Sequence, residues 1–76
     1  PNPCRNNLTV EFNTLDEWTR LSIFDSIGSE VKTVFNKRLQ PGVHKVNVDM
    51  HDLPAGGYYC RLQLGSRHKT KRVIKI

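Results

Sequence analysis

The chain has 76 residues, a net charge of +5 and 37% apolar residues, with a mean hydropathy of −0.53. That size supports one domain, residues 1–76, with a thin core and little room for an enclosed active-site cavity. No apolar run approaches the roughly 18 residues that a membrane span requires. Pro1-Asn2-Pro3 has neither the charged nor the apolar region of a signal peptide. With no initial Met either, the chain reads as a domain excised from a larger exported protein.

Apolar residues recur at period two along the whole chain, the mark of half-buried strands. Leu8, Val10 and Phe12 alternate with Thr9, Glu11 and Asn13 in the first, and Leu21 and Ile23 alternate with Arg20 and Ser22 in the second. Val31, Thr33 and Phe35 make a weaker third, and Val46 and Val48 a fourth. Tyr58, Cys60, Leu62 and Leu64 make the fifth, and in the last Ile74 and Ile76 share one face, with Arg72 and Thr70 continuing it outward. Turn signals separate these runs: Asp25-Ser26-Ile27-Gly28, Gln40-Pro41-Gly42, Leu53-Pro54-Ala55-Gly56-Gly57 and Gly65-Ser66. No stretch sustains helical spacing. Six to seven short strands with regular turns predict an all-β, antiparallel, immunoglobulin-like sandwich.

Catalytic constellations are missing from the sequence. Ser22, Ser26, Ser29 and Ser66 lie in no nucleophile elbow, and Gly56-Gly57 leads into a strand, not a phosphate-binding helix. Asp25 and Asp49 suit Asx turns better than an acid/base pair. His44 shares parity with Val46 and Val48, as a rim or core residue would, while His51 and His68 sit beside turns. No metal-ligand spacing occurs, so neither metal nor cofactor is expected, and the chain reads as a non-enzyme.

Cys4 and Cys60 leave two readings open. A bridge would close most of the chain and stabilise a thin core in an oxidising compartment. Alternatively Cys60 is a small buried hydrophobe in mid-strand and Cys4 an unrelated thiol in a loose leader. The basic cluster of Arg67, His68, Lys69, Lys71, Arg72 and Lys75 likewise has two readings. It is an anion-facing patch, or a guard against edge-to-edge strand pairing. Trp18, Phe24 and Tyr59 share an outward parity that would suit sugar stacking or cross-strand packing.

Taken in order, the motifs form a pattern. Pro1-Asn2-Pro3 precedes the strand Leu8–Phe12; Leu21-Ser22-Ile23-Phe24 runs into Asp25-Ser26-Ile27-Gly28; Leu53-Pro54-Ala55-Gly56-Gly57-Tyr58 follows Val46-Asn47-Val48-Asp49; and Thr70-Lys71-Arg72-Val73-Ile74-Lys75-Ile76 ends the chain. This closely resembles the type A C-terminal sorting domain of the Bacteroidetes type IX secretion system, over essentially the whole chain. The resemblance implies an address that directs an upstream cargo domain through the periplasm and across the outer membrane by way of the type IX translocon. Its destination is the cell surface or the medium, often with removal of the domain by a sortase-like peptidase. The recognition residues it implies are Gly56, Tyr58, Lys71, Arg72 and Lys75. Gly57, where an apolar residue is usual, and the two cysteines depart from the pattern.

Two rivals remain at this point: an immunoglobulin-like binding or spacer module of a surface protein, and a carbohydrate-binding module using Trp18, Phe24 and Tyr59. A nucleic-acid partner has charge in its favour but no motif, and none is expected. Exposed edges would also allow a strand-swapped dimer.

Overall fold

A computed structural model describes residues 3–76. It contains six strands: β1 (Asn7–Thr14), β2 (Glu17–Asp25), β3 (Glu30–Leu39), β4 (Gly42–Asp49), β5 (Gly56–Leu64) and β6 (Arg67–Lys75). They form two antiparallel sheets, β1-β4 and β3-β2-β5-β6. The fold is therefore the expected all-β sandwich.

Alternation builds the core from both inner faces. Leu21 and Ile23 on the central strand β2 are fully buried. Their partners in register, Leu62 and Cys60 on β5, lie on the same face. Leu8, Phe12 and Val48 cover this face from the other sheet. Phe12 stacks on His44 of its own sheet at 5.5 Å and faces Phe35 of the opposite sheet at 6.3 Å between ring centroids. His44 is half-buried and its Nε2 bonds the Gln40 carbonyl oxygen, so it is a hydrogen-bonded rim residue. Each large side chain buried here contributes roughly 1.5–3 kcal/mol.

Two strands differ from their expected faces. In β3, the register against β2 shifts between Leu21 and Ser22 and again between Ile23 and Phe24. Each bulge inserts an unpaired residue and reverses the parity that follows. Val31 and Thr33 are thereby left exposed, while Val34, Phe35 and Leu39 pack against the core. In β6, Val73 and Lys75 face inward, not Ile74 and Ile76. The cause is the register with β5, which sets Tyr58 opposite Val73 and Gly56 opposite Lys75.

Cys4 also departs from expectation. Its N–H donates to the Ile74 carbonyl and its own carbonyl accepts from Ile76 N–H, both at 2.9 Å, in a parallel bridge to Lys75. It is 3% exposed and belongs to the core, so it is part of the sandwich and not of a loose leader. Cys4 and Cys60 are both free thiols, both buried. Burial pushes the Cys60 thiol up, against the opposing pull of the Lys71 charge. Thiol titration without reductant should therefore find neither group reactive in the native chain and both reactive after unfolding. A chain with no reactive thiol after unfolding would instead carry the Cys4–Cys60 bridge.

Candidate functional site

The implied recognition residues fall into two groups that the fold keeps apart. The first is a corner where β4 hands the chain to β5 through residues 50–55. Met50, on the loop side of β4, is fully buried, and its N–H donates to the Asn6 carbonyl at 2.7 Å. Leu53 N–H returns to the Met50 carbonyl at 3.1 Å. Tyr58 is buried, and its hydroxyl donates to the Pro54 carbonyl four residues back. The Leu53…Gly56-x-Tyr58 spacing is thus a folding unit: Leu53 packs on the core and the Tyr58 hydroxyl closes the loop.

Gly56 has φ +152° with open space where a Cβ would stand. What Gly supplies is backbone freedom, since side-chain-bearing residues rarely adopt this conformation. Gly56→Ala should cost about 1–3 kcal/mol by strain, read as a lowered urea midpoint with an unchanged slope.

Two lysines clamp this corner from opposite sides. Lys75, 8% exposed, sends its Nζ to the carbonyls of His51 and Leu53. Lys32, on β3, sends its Nζ to the Asp49 carbonyl and to Asp52 Oδ1 at 2.9 Å. Part-buried carbonyls without partners are costly, and the Lys75 ammonium satisfies two of them. Asp49 completes the corner, accepting from His51 N–H at 3.0 Å and facing His51 Nδ1 at 2.8 Å. Asp25 performs the same Asx role at the β2–β3 turn, where Oδ1 accepts from Ile27 and Ser29 N–H groups.

The second group lies farther along β6. Lys71 pairs in register with Cys60 and Lys69 with Leu62, so both project on the inner side of the sheet, yet both are exposed. They stand at the rim of a cleft of about 580 Å³ that opens between β1 and the β5–β6 hairpin. Arg72 lies on the outer face. Its guanidinium rests over Gly57, where a methyl group would meet it at 3.4 Å. A side chain at position 57 would lie in contact with that guanidinium.

Elsewhere on the surface three arginines are ion-paired. Arg20 pairs with Glu30, Arg38 with Asp16 and Arg67 with Glu17. The Thr14 hydroxyl and Leu15 N–H, more than Arg67, hold Glu17 below the usual carboxylate range, and the Thr33 hydroxyl, then Arg20, does the same for Glu30. Asp49 and Asp52 are lowered by bonds from His51 and Lys32. A carboxylate lowered in the folded state stabilises it above the unfolded pKa and loses that effect as pH falls through the folded value. Urea midpoints should therefore hold steady above about pH 4.5 and fall on further acidification.

The outward aromatics do not form one platform. Phe24 and Tyr59 are partners in register. Trp18 lies six residues away along β2, roughly 20 Å at strand rise, and its indole N–H donates to Asn36 Oδ1. The Arg20–Glu30 pair occupies the intervening surface. Among the described residues, no group of His, Cys, Asp and Glu could hold a metal ion. No helix among the described residues is long and apolar enough to cross a membrane.

Parity alone could not have found Met50, Lys32 or the inward turn of Lys75. The signal for Lys75 was its registry opposite Gly56, which the two-residue Gly65-Ser66 hairpin dictates once the turn is recognised. A family model described as secretion system C-terminal sorting domain matches residues 1–76. No individual curated protein matches the chain significantly.

Proposed function

The chain belongs to the C-terminal sorting domains of the type IX secretion system, and on that premise we propose how its residues divide between holding the fold and being read. Membership gives the function: the domain is the sorting signal of a parent protein whose cargo lies N-terminal to it. The type IX machinery exports that protein across the outer membrane to the cell surface or the medium. The rival reading as a binding or spacer module has no comparable support, and the separation of Trp18 from Phe24 and Tyr59 weighs against a sugar platform.

In our reading Gly56, Tyr58 and Lys75 act through the fold, by keeping the corner at residues 50–55 closed. Lys71 and Arg72 are the residues the machinery reads, one on each face of β6. The parent protein passes through the periplasm, and a sortase-like peptidase often removes domains of this kind after translocation. The domain works as an address without catalysis or cofactor, and its contacts are with protein and not nucleic acid. The observation that carries this reading is the match over residues 1–76 together with a β6 whose cations are displayed on both faces.

The test is a reporter with a periplasmic signal, fused ahead of residues 1–76, in a type IX-competent bacterium and its translocon-deficient derivative. Surface or medium reporter in the first strain and periplasmic reporter in the second is expected. Equal export from both strains would overturn it.

A further inference from the structure

The cleft between β1 and β6 has the construction of a sandwich lacking one strand. Among the described residues, β1 pairs only with β4, and β6 only with β5 and the bridge at Cys4. Hydrogen-bond direction alternates along a strand. Because Met50 N–H donates to the Asn6 carbonyl, Leu8, Val10 and Phe12 turn their peptide groups toward β4. Thr9, Glu11 and Asn13 turn theirs toward the cleft. Because Cys4 bonds Ile74 and Ile76 on the side away from β5, Thr70 and His68 turn their peptide groups outward by the same alternation. Two strand edges thus face one another across a cleft whose floor includes Leu8, Phe12, Leu62 and Val73.

The charge of this cleft is net positive. Lys69 and Lys71 line it, and Glu11 on the opposite rim is its one carboxylate among the described residues. Elsewhere the acidic residues are engaged: Asp16, Glu17, Glu30 and Asp52 with cations, Asp49 with His51, and Asp25 with turn amides. Lys69 and Lys71 have no ion pair among the described residues. Their aliphatic stems can lie along the apolar floor while their ammonium heads remain at the rim.

We propose that this cleft is a docking site for an extended polypeptide segment, supplied by the export machinery, that alternates apolar and acidic side chains. Such a segment adds as a strand, taking backbone hydrogen bonds from the β1 and β6 edges. Its apolar side chains cover Leu8, Phe12 and Leu62, and its carboxylates meet Lys69 and Lys71. The inference rests on the sorting function and specifies the chemistry of the partner that reads β6.

The test uses the 76-residue chain and a blocked ten-residue peptide of alternating valine and glutamate, followed by amide NMR and hydrogen exchange. Shift changes and slowed exchange are expected at Thr9, Glu11, Asn13, His68 and Thr70. Binding should weaken at least tenfold for a valine–lysine peptide and for the Lys69→Glu/Lys71→Glu variant. Lys69→Gln/Lys71→Gln, which leaves the cleft without added repulsion, should weaken it by a smaller factor if the charge pairing holds. Absence of binding, responses confined to the β3 edge, or a dimer of the free chain that already protects these amides would overturn the inference. No peptide binding alongside normal export of a fused cargo defeats the docking site and spares the sorting function. Peptide binding without export of the cargo defeats the sorting function and spares the docking site.

Discussion

Lys75→Glu should strongly destabilise the domain instead of merely blinding it to its receptor. The Lys75 ammonium is buried against the carbonyl oxygens of His51 and Leu53. A carboxylate there would place negative charge against two acceptors, with no donor to replace the one removed. Leaving a buried charge uncompensated costs about 3–5 kcal/mol. A domain of this length has a total stability of roughly 4–11 kcal/mol, so the loss is a large share of it and unfolds the chain at the lower end of that range. Lys75→Met keeps the length of the stem and forfeits only the hydrogen bonds, for about 1–3 kcal/mol. Circular dichroism and urea unfolding of the two variants should separate these outcomes. Equal stability of Lys75→Glu and the parent chain would show that the clamp does not hold the corner.

Charge reversal at the exposed cations should do the opposite. Lys71 and Arg72 are exposed, and surface substitutions of this kind usually shift stability by no more than about 0.5 kcal/mol. Reversing both charges changes the net charge of the domain by four, from the +5 of the chain to about +1 by formal count. It does so on the strand where the cations are concentrated. Charged rims act on encounter and register with a partner. Lys71→Glu/Arg72→Glu should fold as the parent does and lose tenfold or more of its export, measured as surface-exposed reporter per cell. Unchanged export by a folded variant would remove these two residues from recognition.

How much of this was visible in the sequence differs from strand to strand. The faces of β1, β2 and β5 follow from alternation, because Leu8, Leu21, Ile23 and Leu62 each sit in an apolar period of two, although Ser22 between Leu21 and Ile23 is buried too. Bulges broke the period in β3, and no local residue type announces them. In β6 the run Val73-Ile74-Lys75-Ile76 offers apolar residues on both parities. The lysine pointed the wrong way, because a buried cation is an exception to ordinary burial preference. Partner choice was also hidden. Alternation tells which face of a strand is covered but not which sheet it joins, so the split into β1-β4 and β3-β2-β5-β6 came only from the structure. The family motifs were fully legible, yet their division was not. The Gly56…Tyr58 element and Lys75 meet in one corner, whereas Lys71 and Lys69 border the cleft.

The most direct measurement compares export and stability for Lys75→Met and Lys71→Glu/Arg72→Glu, each fused to the same reporter in the same cells. The division proposed between fold and recognition predicts that Lys75→Met is the less stable but is exported wherever it is folded, while the charge-reversed domain stays folded and leaves its cargo behind. Export of the charge-reversed cargo at the parent level, with its folding verified, would contradict that division.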